Sequence, residues 1–157
     1  MLTSHLNENG NAHMVDISDK VMTNRMAQAQ SKVILPFEVM AKIQANAETK
    51  KGNLFSVCIL AGIMGAKKTS ELIPLCHPLP LTKVEVTYEC VENTILFTSQ
   101  VKTQWVTGVE MEAMVAVSIA ALTCYDMLKS LNKGIVLGET KLLFKTGGKS
   151  GDFSAEV

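Results

Sequence analysis

Asp126 and Lys129 stand three residues apart at the carboxyl end of a long uncharged run, Ala113 to Tyr125, and so fall on one face of a helix. The helix macrodipole disfavours an acid at that end, which asks for a compensating cation or a function. Two readings are open, a plain i,i+3 ion pair or a coupled acid and base that tune each other's protonation. The same helix opens with Glu110 and Glu112 after Thr107-Gly108, where the dipole favours acids. Side chains two apart diverge by about 200°, so one of these glutamates is expected to face a site.

Two further segments carry reactive side chains. In Leu72 to Pro80, three prolines within seven positions stiffen the chain around Leu75, Cys76 and His77. The segment is either a bend with His77 hydrogen-bonded in place or a rigid loop offering a ligand-orienting imidazole. Zinc is disfavoured there, since adjacent Cys76-His77 and the scattered remaining cysteines lack ligand-pair spacing. In Lys145-Thr146-Gly147-Gly148-Lys149-Ser150-Gly151-Asp152, glycines let backbone N–H groups approach an anion while Lys145 and Lys149 supply charge. It is no P-loop: the leading glycine of that motif would fall at Leu143, and only eight residues follow Lys149. A phosphate cradle and a flexible tail both remain open. Lys51-Gly52 and Lys67-Lys68 offer more cations, though such residues often serve as solvated surface charges.

The elements that must position these groups are legible in part. Val21 to Leu35 suits a strand with Met22, Asn24, Met26 and Gln28 on one face. Pro36 ends it and opens a helix of about three turns with Phe37, Met40, Ala41 and Ala45 at helical spacing. Asn53 caps a second helix, Leu54 to Ala66, apolar nearly all round and therefore expected to be buried against a sheet or another subunit. Residues 82–102 alternate as an antiparallel hairpin, with Val84, Val86, Tyr88 and Cys90 on one face and Ile95, Phe97, Ser99 and Val101 after the turn. Thr107 is placed to cap a helix from about Gly108 to Leu131, and Ile135 to Lys145 returns as a strand. A hairpin with helices between strands, and no repeating βα rhythm, predicts an α+β fold: an antiparallel sheet with helices on one face, arranged ferredoxin-like.

Composition bounds the rest. With 157 residues, 47% hydrophobic and 19% charged, the chain fits one domain, 1–157, with residues 1–20 and 146–157 expected to be mobile. Fifteen basic and fifteen acidic residues cancel, which leaves no basic field for nucleic acid. Four dispersed cysteines and a polar start without a signal-like apolar run predict a cytoplasmic setting. The most apolar run, about 13 residues, falls short of the roughly 20 a membrane crossing needs.

Taken in order, LIPLCHPLPLTKVEV, TGVEMEAM, ALTCYDMLK and KTGGKSGDF resemble the motifs of the molybdenum cofactor biosynthesis protein C family, the cyclic pyranopterin monophosphate synthases. Weaker likeness extends to His13-Met14-Val15-Asp16, Arg25, Lys51-Gly52 and Ala61-Gly62-Ile63. The resemblance implies a ferredoxin-like protomer in a homohexamer, a trimer of dimers, with active sites at subunit interfaces. It implies the substrate (8S)-3',8-cyclo-7,8-dihydroguanosine 5'-triphosphate, made from GTP upstream by a radical S-adenosylmethionine cyclase, and the products cyclic pyranopterin monophosphate and pyrophosphate. No resident cofactor is expected, and a divalent ion with the triphosphate is left open. Asp126 and Lys129 resemble the family's catalytic pair; Leu75, Cys76, His77, Met111 and Glu112 resemble its substrate-contacting segments; Lys51, Lys145, Lys149 and Arg25 match pocket cations. Glu110 and Lys67 are further candidates for substrate binding. The chain departs from the pattern at Trp105-Val106, where some relatives carry Gly-Lys, so a phosphate contact from that lysine is missing here. In the expected mechanism a lysine kept near neutral pKa by neighbouring cations transfers protons, with Asp126 orienting it or taking the complementary proton. The competing reading is a non-catalytic, oligomeric nucleotide sensor, which needs the cations but no poised acid beside them.

Overall fold

The computed structural model describes residues 5–155. Strand β1 (Thr23–Ile34) leads to helix α1 (Phe37–Ala45), a two-rung hairpin of β2 (Glu48–Thr49) and β3 (Gly52–Asn53), helix α2 (Leu54–Lys67) and a single turn α3 (Thr69–Leu72). The hairpin β4 (Lys83–Val91) and β5 (Thr94–Trp105) follows, then helix α4 (Glu110–Leu128), strand β6 (Val136–Thr146) and the short β7 (Phe153–Ser154). The main sheet runs β4-β5-β1-β6-β7 with every neighbour antiparallel. Helices α2 and α4 pack together on one face of it, the ferredoxin-like α+β arrangement expected.

The hairpin forms where alternation is cleanest, with Val84 opposite Val101 and Val86 opposite Ser99. In β1 the buried face is Ala27, Ala29, Ser31 and Val33, while Met26 and Gln28 lie on the other side. These small inward side chains let α4 come close to the sheet, and α4 buries Ala113, Ala116, Ala120 and Ala121 between the sheet and α2. Its contact with α2 is equally tight: a Cβ at Gly62 would lie 2.8 Å from the Ala116 carbonyl oxygen, and one at Gly65 2.9 Å from the Ile119 side chain. By length and composition α4 could cross a membrane, but ten of its nineteen residues are buried, as in the core helix of a packed domain.

Several expectations need adjustment. The side chain of Asn53 does cap α2, accepting from the Ser56 N–H at 3.1 Å. Thr107 does not cap α4, whose N-cap position is Val109 without a side-chain bond, and the helix stops at Leu128 rather than Leu131. Helix α2 is not enclosed within the chain: Leu60 is 59% exposed and Met64 51%, with Leu122 of α4 53% exposed. The β2–β3 hairpin is too short for any sequence periodicity to announce it. Of the ends expected to be mobile, residues 1–4 and 156–157 lie outside the described residues, and the glycine loop 147–152 is followed by β7, paired on β6.

Candidate functional site

At the carboxyl end of α4, Asp126 sits between two lysines. Lys51 reaches it from the β2–β3 turn, Nζ to Oδ2 at 2.6 Å, and Lys129 from the helix end, Nζ to Oδ1 at 2.9 Å. The turn is braced by Thr49, whose hydroxyl donates to the Gly52 carbonyl at 2.8 Å and accepts the Lys51 N–H at 3.0 Å. The hydrogen bonds from Lys51 and Lys129 pull the Asp126 carboxyl down to about 2, and Asp126 in turn raises Lys129. The dipole's objection to an acid here is thus answered by two cations. A lysine brought down toward neutrality is not what this geometry produces at Lys129: carboxylate beside ammonium is the resting state, the two facing a cleft of about 630 Å³.

The opposite end of α4 carries the second cluster. A cleft of about 820 Å³ is lined by Arg25, Glu110, Lys145 and Lys149, with Lys20 from the amino-terminal arm. Arg25 is clamped by the carbonyls that end β5, Nε to Trp105 O and Nη2 to Val106 O, both at 3.0 Å. Lys145 Nζ donates to Ser150 Oγ at 2.6 Å and lies 3.9 Å from Glu110 Oε1. A smaller adjoining pocket of about 260 Å³ gathers Leu75, Cys76, His77, Met111 and Glu112. Its proline-rich wall is tied to the sheet by the Thr103 hydroxyl, which donates to the Pro80 carbonyl. Burial pushes the Cys76 thiol up, with the charge of Glu112 adding to it.

Of the two glutamates, Glu112 is the buried one, and burial raises its carboxyl to about 7 despite a backbone hydrogen bond that opposes the shift. Its proton is held in the fold far above the ordinary value of 4.5, so its stability contribution is complete below about 4.5 and is lost as pH rises through about 7. Relative to Glu112→Gln, the wild type should lose on the order of 1–2 kcal/mol between about pH 5 and pH 8 in thermal or urea melts. Parallel pH profiles of the two proteins would show that Glu112 ionises as freely in the fold as in water.

The candidate residues therefore do not form one site within the chain. Sixteen residues separate Glu110 from Asp126, which at 1.5 Å per residue is roughly 24 Å along the helix. Lys67 joins neither cluster and lines a separate groove with Ile63, Leu79 and Lys83. Lys20 and the two carbonyls that clamp Arg25 escaped the sequence reading, since an isolated arm lysine and main-chain acceptors leave no pattern. Among the described residues no group of three His, Cys, Asp or Glu side chains gathers as a metal site.

Comparison with known proteins bears on what this geometry is for. A profile described as the MoaC family matches residues 14–148. Similar curated proteins include one from Dinoroseobacter shibae, 51% identical over 98% of this chain and 98% of its own length. Another, from Bacillus subtilis, is 50% identical over 98% of this chain and 92% of its own, and one from Brevibacillus brevis is 49% identical over 96% and 94%. All three are named cyclic pyranopterin monophosphate synthase.

Proposed function

The chain belongs to the MoaC family, and from that premise we propose that it acts as a cyclic pyranopterin monophosphate synthase in molybdenum cofactor biosynthesis, converting (8S)-3',8-cyclo-7,8-dihydroguanosine 5'-triphosphate to cyclic pyranopterin monophosphate and pyrophosphate. The observation that carries the chemistry is Asp126 held between Lys51 and Lys129 at 2.6 and 2.9 Å, with all three side chains about half exposed. Ion pairs that exposed add little to folding. Holding a carboxylate between two ammonium groups at the unfavourable end of a helix is better explained by proton transfer than by structure, and a sensor has no need of it.

The reaction opens a purine-derived five-membered ring, forms a pyrazine ring and closes a cyclic phosphate, and each stage moves protons. Asp126, ionised through the neutral range, takes a proton or orients its partner, and the Lys129 ammonium donates one. In the last stage a substrate hydroxyl attacks the α-phosphorus and pyrophosphate leaves. Arg25, Lys145 and Lys149 take up the charge on the β- and γ-phosphates as it builds on the leaving group. Leu75 to His77, Met111 and Glu112 hold the heterocycle, with Glu112 offering an O–H donor while protonated, and enforced closeness of hydroxyl and phosphorus supplies much of the remaining rate. No step transfers electrons to the protein, so no redox cofactor is required, and a divalent ion accompanying the triphosphate is compatible with every stage.

Because the two clusters lie at opposite ends of α4, the Asp126 end of one protomer meets the cation cleft of another in the assembled enzyme, a hexamer built as a trimer of dimers. Lys67, remote from both clusters within one chain, serves a neighbour's cleft in the same way. The uncovered apolar residues Leu60, Met64 and Leu122 support burial against another copy. The enzyme works in the cytoplasm and takes its substrate from a radical S-adenosylmethionine cyclase. Purified protein incubated with the cyclised nucleotide should release pyrophosphate and cyclic pyranopterin monophosphate in equal amounts, followed by chromatography. Tight binding without either product would make the chain a sensor instead.

A further inference from the structure

We propose that Asp152 is a positioning residue for the polyphosphate cleft, its carboxylate latching the glycine loop against Arg25 so that the cleft's cations are pre-arranged for an incoming anion. The proposal deepens the functional reading above and rests on it. The loop 147–152 is closed at its base by the pairing of Lys145 with Phe153 and Phe144 with Ser154, and by the Ala155 N–H donating to the Leu143 carbonyl at 2.8 Å. Asp152 stands at that base, outside the residues that line the cleft. Its Oδ1 accepts from the Thr146 hydroxyl at 2.7 Å and from the Gly147 N–H at 3.2 Å, which ties the two sides of the loop together at its mouth.

What the latch fixes is the approach of backbone to guanidinium. Gly147 and Gly148 adopt φ values of +89° and +85°, conformations that L side chains rarely take. A Cβ at Gly147 would strike the Asn24 carbonyl and one at Gly148 the Arg25 guanidinium, so the loop lies directly on Arg25. Arg25 is thereby held from two directions, by the loop and by the Trp105 and Val106 carbonyls. Lys145 is likewise oriented from within the loop, by Ser150 at 2.6 Å. A carboxylate beside a cleft meant for a polyphosphate is electrostatically adverse. Its presence therefore calls for a geometric role, and accepting two hydrogen bonds is a role a neutral amide can also fill.

An amide at position 152 thus separates geometry from charge. Inorganic pyrophosphate binding is measured by calorimetry, and steady-state turnover with the triphosphate substrate, on wild type, Asp152→Ala, Asp152→Asn, Thr146→Val and Thr146→Ser. Loss of the latch should weaken pyrophosphate binding and raise KM about tenfold in Asp152→Ala and Thr146→Val, with kcat held within about twofold. Asp152→Asn and Thr146→Ser keep the acceptor and the donor, and should match wild type or, for the asparagine, bind pyrophosphate more tightly. Asp152→Ala binding as well as wild type would overturn the latch, and so would an asparagine variant as weak as the alanine one, since charge rather than geometry would then be at work. Should Asp152→Ala not fold, the threonine pair decides in its place: Thr146→Val binding as well as Thr146→Ser would overturn the latch. Wild-type protein that neither binds pyrophosphate nor turns over substrate would remove the reading of the cleft itself, and the latch with it.

Discussion

Asp126→Ala should lower kcat by roughly 10²- to 10⁴-fold, the range for loss of a positioned proton-transfer group, while thermal unfolding stays close to that of wild type. The folding half of this expectation follows from exposure: the side chain is half in water, and its partners Lys51 and Lys129 are left as solvated surface ammonium groups. The kinetic half follows from its having two cations on one carboxylate. Asp126→Asn keeps the side chain's shape but only one of its two acceptor oxygens, turns an NH2 donor toward the other lysine, and has neither the charge nor the ability to take a proton, so its kcat should fall nearly as far. Pyrophosphate release at saturating substrate is the readout. Since the carboxyl titrates at about 2, any acid limb of the rate profile above about pH 4 belongs to another group. Full turnover in Asp126→Ala at unchanged stability would sink the assignment.

The parts of this molecule that were legible in the sequence are those where local pattern and tertiary demand coincide. The β4–β5 hairpin buries Val86, Ile95, Phe97 and Val101 and half-buries Val84 because one of its faces meets helices, and their alternation states it directly, although Tyr88 on the same face stays exposed. Asn53 announced α2 because a side-chain cap acts within three residues. Strand β1 shows the reverse case. Its buried face is Ala27, Ala29, Ser31 and Val33, small residues required by the closeness of α4; the alternation puts Asn24, Met26 and Gln28 together on the other face, as expected, but carries no sign of which face is buried. The start of α4 is where the pattern misled: Thr107 has a capping residue's chemistry but lies two positions before Val109, where the backbone turns into the helix.

The candidate site divides along the same line between local and distant. Asp126 with Lys129 follows from spacing along one helix, and so does the divergence of Glu110 from Glu112, though not which of the two is buried. That Lys51 completes a three-member cluster does not, because the turn that presents it is held by Thr49 rather than by any repeating pattern. A sequence carries no distances, so it does not show that within one chain the fold sorts Lys51 to one end of α4, Arg25, Lys145 and Lys149 to the other, and Lys67 to neither.

That sorting leads to the second large effect. If a working site takes Asp126 from one protomer and Lys145 with Lys149 from another, two inactive proteins should rescue each other. Asp126→Ala keeps its own cation cleft, and the double variant Lys145→Ala/Lys149→Ala keeps its own Asp126, so a mixed assembly contains sites in which both halves are intact. With equal amounts and random association, half of all Asp126 positions are good and half of all clefts are good. About a quarter of the sites should then be whole, whatever the symmetry that brings the two halves together. Co-expression of the two variants under different tags, followed by sequential affinity capture, isolates the mixed assemblies, and pyrophosphate release from them is compared with that of each parent. Each parent alone should be close to background, so the rise on mixing is large. A mixture as inactive as its parents would place all the chemistry within one chain, and the roughly 24 Å between the two ends of α4 would then have to be closed by a rearrangement of the protomer rather than by a neighbour.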